Sequence, residues 1–308
     1  MKSLILAVLM VLAAAPVRAE PIASWKSVEP AKTGWATGPL SAAQADFAQS
    51  GATALMIVQD GAIVAAWGDT RRRVNLRSVR KSILSALYGI AVAEGRINLA
   101  STLGELGIDD KPPGLTPAEK QATVRDLLTA RSGIYHPAAY ETSEMRKTRP
   151  VRGSHAPGSF WFYNNWDFNA LGTIYRRATG EDLFASFAQR IARPIGMEDF
   201  SARDGHYVSE ASSVHPAYPF SLSARDSARF GLLILQRGRW NDRQIIPSDW
   251  VAQSTRASSR TDRSGRGYGY LWWTLAPEDW GAGAVIASGY GGQIIAIVPS
   301  KRLVVVQT

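Results

Sequence analysis

Strand-like runs stand at both ends of this sequence, and helical patterns fill its middle. Thr53–Val58 and Ala62–Gly68 flank Asp60-Gly61, a dipeptide suited to a tight hairpin turn. Comparable runs return only at Tyr268–Thr274, Ala284–Ala287, Gln293–Val298 and Leu303–Gln307. From Ser78 to roughly residue 255 the pattern is helical. Its segments include Thr123–Ala130, Asp167–Thr179, Leu183–Arg193, Ala224–Gln236 and Pro247–Gln253. Such an order predicts an α+β chain: an antiparallel sheet flanked by helices, with an inserted helical domain. The sheet part is expected from about residues 40–72 and 225–308, with strands at about 50–70 and 265–308. The helical part is expected from about 73–224, and 20–308 reads as a single domain. The chain stops at Thr308 directly after a strand. Either one face of the sheet lacks its cover, or the sequence is a fragment.

Residues 1–19 read as an export signal. Lys2 supplies a positive start, Leu4 to Ala15 an apolar stretch, and Val17-Arg18-Ala19 a small-residue cleavage site. The apolar stretch is short for a membrane span. Export with cleavage is the main reading and an uncleaved anchor the alternative. The mature chain would be periplasmic or secreted, with no stable membrane span. Cleavage removes Lys2 and Arg18 and no acidic residue, so the formal charge drops from +9 to +7. That charge is dispersed. Arg71-Arg72-Arg73 is its only tight run and reads as a solvated strand end; no nucleic-acid signature accompanies it. The chain has no cysteine, so a hydrophobic core rather than disulfides must hold it together. About 290 residues suffice for such a core. His136, His155, His206 and His215 form no His-Glu-x-x-His pattern and read as loop residues, so neither metal nor cofactor is expected. No Gly-x-Ser-x-Gly elbow is present, which argues against an α/β-hydrolase.

Three stretches could carry chemistry. Ser78-Val79-Arg80-Lys81 opens the apolar run Ser82–Ala93, which has the character of a buried helix stopped at Glu94-Gly95. Residues three apart share a helix face. Ser78 would stand at the helix N-terminus, where unpaired N–H groups favour developing negative charge. A lysine whose pKa is lowered by desolvation can take the serine proton. The plainer alternative is a serine cap and a surface lysine. The second stretch is Tyr163-Asn164-Asn165, where a Pro157-Gly158 turn leads into an aromatic loop. Asn165 can cap the helix that begins near Asp167, and Tyr163 beside an ammonium can relay a proton or simply pack. The third is Ser288-Gly289-Tyr290-Gly291-Gly292-Gln293, which runs into Ile294–Val298. Its glycines allow close backbone approach, and an edge strand of this kind could give one oxyanion donor, Ser78 giving the other. Otherwise it is a glycine-rich turn.

Taken in order, Ser78-x-x-Lys81, Tyr163-x-Asn165 and the glycine-rich strand entry at 288–293 resemble the serine β-lactamases and penicillin-binding peptidases, on their class C side. Leu127–Gly133, Leu222–Gly231 and Tyr268–Trp273 look familial too. The resemblance covers roughly residues 50–308 and is nearest the esterase and 6-aminohexanoate-dimer hydrolase branch. It implies a β-lactamase/transpeptidase-like fold and a small ester, amide or peptide-like substrate. It also implies Ser78 as the acylated nucleophile, Lys81 as proton acceptor, Tyr163 as base or acid partner, and Asn165 holding Lys81 and the substrate amide. Tyr290, Gly292 and Gln293 would contact substrate. Alternatives within the same fold are a D-alanyl carboxypeptidase, a β-lactamase, or a catalytically silent binding protein. The sequence departs from the family where Tyr290 stands in the place of the usual lysine or histidine of the third motif; arginines elsewhere, Arg266 among them, could supply that charge. Lys32-Thr33-Gly34 spells the usual form but precedes Ser78 and reads as a decoy.

Overall fold

The computed structural model describes residues 25–308 except 262 and 264. The export signal therefore lies outside the described residues. The chain first forms α1 (Thr37–Gln49), then β1 (Ala54–Gln59) and β2 (Ala62–Gly68). Asp60 and Gly61 take φ of 52° and 79° between them, the left-handed pair that a tight hairpin requires. β3 (Val74–Asn75) leads into α2 (Arg80–Ala93). The helical part continues with α3 (Val124–Leu128), α4 (Ser143–Lys147), α5 (Asn165–Thr179) and α6 (Leu183–Phe187). β4 (Ser221–Leu222) closes it by pairing with β3. Next come α7 (Ala224–Leu235), the ribbon of β5 (Arg239–Trp240) and β6 (Arg243–Gln244), and α8 (Ser248–Ser254). The chain then re-enters the sheet with β7 (Ser259–Arg260), β8 (Gly267–Tyr268) and β9 (Trp273–Thr274). After α9 (Pro277–Trp280) it ends in β10 (Val285–Gly289), β11 (Gln293–Val298) and β12 (Leu303–Gln307).

Among the described residues, eight strands form one antiparallel sheet in the order β2-β1-β12-β11-β10-β9-β8-β7. β1 pairs with β12 from Leu55 opposite Gln307 to Gln59 opposite Leu303, so strands from the two ends of the sequence lie side by side. The helical part is inserted between them, as the order of patterns required. α2 sits at the centre of the molecule, with Arg80 to Gly89 and Ala91 all buried. A smaller cluster on the other side of the sheet gathers Ile57, Val64, Ala65, Val298 and Leu303, with Val28, Trp35 and Leu40 packed against it. Residues before β1 thus cover part of that face. Lys32-Thr33-Gly34 lies there, in an exposed turn where Lys32 pairs with Glu29 at 2.8 Å.

Three expectations need correction. Tyr268–Thr274 is not one strand but the hairpin β8–β9. Leu271 turns its tip at φ 63°; its N–H donates to Leu128 O (3.1 Å), and its carbonyl accepts from Ser82 Oγ (2.7 Å). Those bonds to the helical part outweigh strand propensity. The sheet also reaches back to Ser259 through β7 rather than starting near residue 265. Finally, the strand that follows the glycines, β11, is not an edge strand, since it lies between β12 and β10; β10 before them is likewise internal, between β9 and β11. β9 pairs only with Val285 and Ile286, however, so Ala287–Gly289 is paired on the β11 side alone.

That half-paired end of β10 abuts the segment entering α2. A Cβ on Gly289 would come within 2.4 Å of Leu76 O and 3.1 Å of Arg77 Cβ. Backbone carbonyls do not yield easily, so overpacking of about 1–3 kcal/mol is expected for Gly289→Ala. The thermal midpoint should fall by roughly 2–10 °C; an unchanged midpoint in a melting curve would show that the two segments are not in such close contact.

Candidate active site

Ser78 is half-buried, on the single 3-10 turn Arg77–Val79 that runs into α2. The turn is entered sharply. Arg77 has φ 52°, a conformation that costs a side-chain-bearing residue roughly 1–2 kcal/mol. Polar contacts hold it there: Arg77 N–H donates to Asn75 Oδ1 (2.9 Å), and Arg77 Nη1 and Asn75 Nδ2 both donate to Tyr140 OH (2.9 and 3.1 Å). Among the described residues, the N–H of Ser78 has no partner, nor has that of Tyr290, the first residue past β10.

Lys81 follows one turn after Ser78 and is only 2 % exposed. Its Nζ lies 2.8 Å from Ser78 Oγ and 2.8 Å from Tyr163 OH, drawn as donor to both. The rings of Tyr163 and Phe168 enclose it, each centroid 4.7 Å away. No carboxylate among the described residues pairs with it. Burial, and then the charges of Arg80 and Arg263, push its ammonium well below the ordinary lysine range. Tyr163 is pushed the opposite way. Burial raises its phenol, while contact with the Ser78 hydroxyl and the charges of Arg80 and Arg263 oppose the rise. The Tyr163 ring stacks on Trp273 (centroids 5.3 Å apart) and meets Tyr268 edge-on (6.0 Å).

The aromatic loop that presents Tyr163 is tied to the stretch 127–133. Arg131 Nε and Nη2 donate to Gly158 O (2.9 and 2.6 Å), Phe162 N–H donates to Ala130 O (2.9 Å), and Ser132 Oγ donates to Asp167 Oδ1 (2.5 Å). The helix after the loop is capped by Asn164, whose Oδ1 accepts from Asp167 N–H at 2.9 Å. The expectation that Asn165 caps it is therefore corrected. Asn165 is the first helical residue, and its buried Nδ2 donates to Tyr140 O (2.6 Å), not to Lys81. Its Oδ1 is buried without a partner.

Ser78, Lys81, Tyr163 and the neighbouring Asn165 come together; the third stretch divides. Gly289 meets the entry to α2, whereas Tyr290 is 76 % exposed in the turn beyond the strand. Gly292 accepts a hydrogen bond from Gln307 Nε2 (3.1 Å), and Gln293 holds a buried Oε1 without a partner. A cation does reach the site, but it is Arg263 rather than Arg266. Its guanidinium lies over Trp273 and Tyr163, 5.3 and 5.5 Å from the ring centroids. Arg80, Arg263 and Tyr140 escaped the reading of the sequence. Only Arg80 left a signal, as a charge beside Lys81 at the start of an apolar helix. Among the described residues, no cluster of three His, Asp or Glu could hold a metal ion.

A model of the beta-lactamase family matches residues 42–307. The chain belongs to that family. Esterase EstB of Burkholderia gladioli is 26 % identical over 172 residues, which is 49 % of this chain and 44 % of the esterase; the match spans less than half of that relative. A protein assigned as a 6-aminohexanoate-dimer hydrolase from Bacillus anthracis superposes with a TM-score of 0.68 at 22 % identity, over 86 % of this chain and 75 % of that one. The octameric penicillin-binding protein homologue from Pyrococcus abyssi gives 0.67 at 20 % identity, over 88 % and 72 %. These likenesses show the β-lactamase/transpeptidase-like fold.

Burying Lys81 has a pH-dependent cost. Its folded pKa is depressed, so below the unfolded value of about 10.4 unfolding takes up a proton and is favoured. The cost is absent above that pH and grows as pH falls toward the folded pKa. Lys81→Met should therefore melt a few degrees higher than wild type at neutral pH, and the gap should narrow toward pH ~10. A variant that melts lower at neutral pH would contradict a neutral, buried Lys81.

Proposed function

We propose that this chain is an exported serine hydrolase that cleaves an ester or amide bond through an acyl-enzyme on Ser78. One observation carries the reading: Lys81 Nζ stands 2.8 Å from both Ser78 Oγ and Tyr163 OH, in a pocket that disfavours its charge. A neutral amine reverses the drawn bond and accepts the Ser78 proton as Oγ bonds to the substrate carbonyl carbon. Tyr163, raised by burial, remains protonated and can give its proton to the leaving group as the C–O or C–N bond breaks, then recover one from Lys81. This assigns the base to Lys81 and the acid to Tyr163. Water repeats the sequence on the acyl-enzyme. The unpartnered N–H groups of Ser78 and Tyr290 would bind the oxyanion; on this reading Tyr290 acts through its backbone. Asn165 Oδ1, buried and unpartnered two residues after Tyr163, would accept a substrate N–H. The export reading rests on the pattern of residues 1–19.

Intact mass of the protein from the cell envelope tests both parts. The chain should begin at Glu20 and gain one adduct from a fluorophosphonate, and Ser78→Ala should gain none. A start at Met1 refutes cleavage, and an adduct in the variant refutes Ser78. A chain that takes neither fluorophosphonate nor benzylpenicillin would be the silent binding protein.

Preference for esters or short amides over β-lactams is supported by the esterase relative and by the third motif. A charged partner contributes roughly 1.5–3 kcal/mol to a hydrogen bond and a neutral one about 1. Lacking the usual lysine or histidine, this site should lose about a factor of five or more in rate on carboxylate-bearing substrates. kcat/KM for p-nitrophenyl butyrate is expected to exceed that for nitrocefin. The reverse order would point to a β-lactamase, with Arg263 as the substitute cation.

A further inference from the structure

The helix that carries Lys81 buries another basic side chain at the position before it. Arg80 is 0 % exposed, and no carboxylate among the described residues pairs with it. Its Nη2 reaches Asn169 Oδ1 at 3.4 Å, and its guanidinium lies 4.6 Å from the Tyr218 ring centroid and 5.6 Å from that of Tyr140. Nε and Nη1 have no hydrogen-bond partner. Burying an ion without a counter-charge is costly, and an apolar side chain of similar volume would fill the space without that cost. Two adjacent buried cations with no anion between them cannot both persist cheaply. A guanidinium does not release its proton near neutral pH, whereas a lysine can.

We propose that Arg80 is a positioning residue for the proton of the reaction: its fixed charge, buried beside Lys81 without a counter-ion, keeps the Lys81 amine unprotonated and ready to accept the proton of Ser78. The inference rests on Lys81 being the base.

The groups facing the pair support this reading. Lys81 meets Ser78 and Arg80 on its own segment, Tyr163 from the aromatic loop, Phe168 from α5, and Arg263 from the β7–β8 connection. Tyr163 in turn meets Tyr268 and Trp273. Arg80 meets Tyr140, Tyr218 and Asn169. None of these is a carboxylate. Asp167, on the first turn of α5, is bound to Ser132 and held well above the usual carboxylate range, mainly by burial. Burial is the larger influence on Lys81, Arg80 comes next, and Arg263 adds to it from an exposed position.

The test is the pH profile of kcat/KM on p-nitrophenyl butyrate for wild type, Arg80→Met and Arg80→Gln, at low and high salt. Without the buried charge, the acid limb should move up by about one pH unit or more, a roughly tenfold loss below the limb. The rate should return on the alkaline plateau. A lowered plateau with an unmoved limb would mean that Arg80 is structural, and would overturn the proposal. If neither variant folds, wild type still decides, because salt screens exposed charges far more than buried ones. A limb that rises on adding salt assigns the effect to Arg263 and overturns the proposal; one that stays put leaves it with the buried surroundings, in which Arg80 is the charged group. Failure of the underlying reading looks different: Lys81→Arg would then keep near-normal rates, whereas failure of this inference leaves Lys81→Arg inactive and the limb unmoved.

Discussion

The arrangement depends on a lysine amine held out of water between a serine hydroxyl and a phenol, with no carboxylate among the described residues to neutralise it. In water that amine would be charged and useless as a base. Each surrounding element contributes to its desolvation. α2 places Lys81 in the middle of the core, the aromatic loop lays Tyr163 beside it, and α5 adds Phe168. The sheet supplies Tyr268 and Trp273 behind Tyr163. The helical part and the sheet therefore must meet here, and the hairpin β8–β9 binds them through Leu271.

Strain is concentrated on the other side of the serine. Left-handed Arg77 precedes Ser78, and Gly289 lets β10 close on the same turn without a side chain between them. An N–H directed at a developing oxyanion must be free in the resting protein, which a regular helix or a fully paired strand does not allow. On the proposed reading, a bent entry to α2 and a half-paired strand end are two backbone solutions to the same need. Both are local departures from regular structure, stabilised by the regular structure around them.

Much of this was legible in the sequence. The sheet from both chain ends, the inserted helical part, the Asp60-Gly61 turn and the pairing of Ser78 with Lys81 followed from periodicity, turn chemistry and helix spacing, while the grouping of Tyr163 with them came from the resemblance to the serine β-lactamases. What was not legible depends on contacts across the chain. Tyr268–Thr274 has the composition of a strand, and only Leu128 and Ser82 turn it into a hairpin. Asn164 and Asn165 are equally good caps by residue type; the cap at Asn164 frees Asn165 to face Tyr140. Tyr290 was singled out by its place in a motif, yet Gly289 is the residue that meets the entry to α2. Nor could spacing foretell that Arg263, 182 positions from Lys81 in the chain, would bring its charge to the site.

The positive charges around the site have different consequences according to depth. Arg77 and Arg263 are exposed, so counter-ions weaken their fields and a substrate carboxylate can pair with them. Arg80 is sealed in; no substrate anion reaches it, and its field acts on the groups packed around it at full strength. Such a charge raises the energy of a protonated Lys81 and lowers that of an ionised Tyr163; it adds to the downward shift of Lys81, whereas in Tyr163 it only opposes the larger upward shift that burial causes. The two effects compete for a single proton. Burial weighs against both ionised forms, and the proposed mechanism takes the neutral lysine and neutral phenol as its resting pair. An amine and a phenol in that state can pass a proton from serine to leaving group while separating charge only in the transition state, where the oxyanion donors can stabilise it.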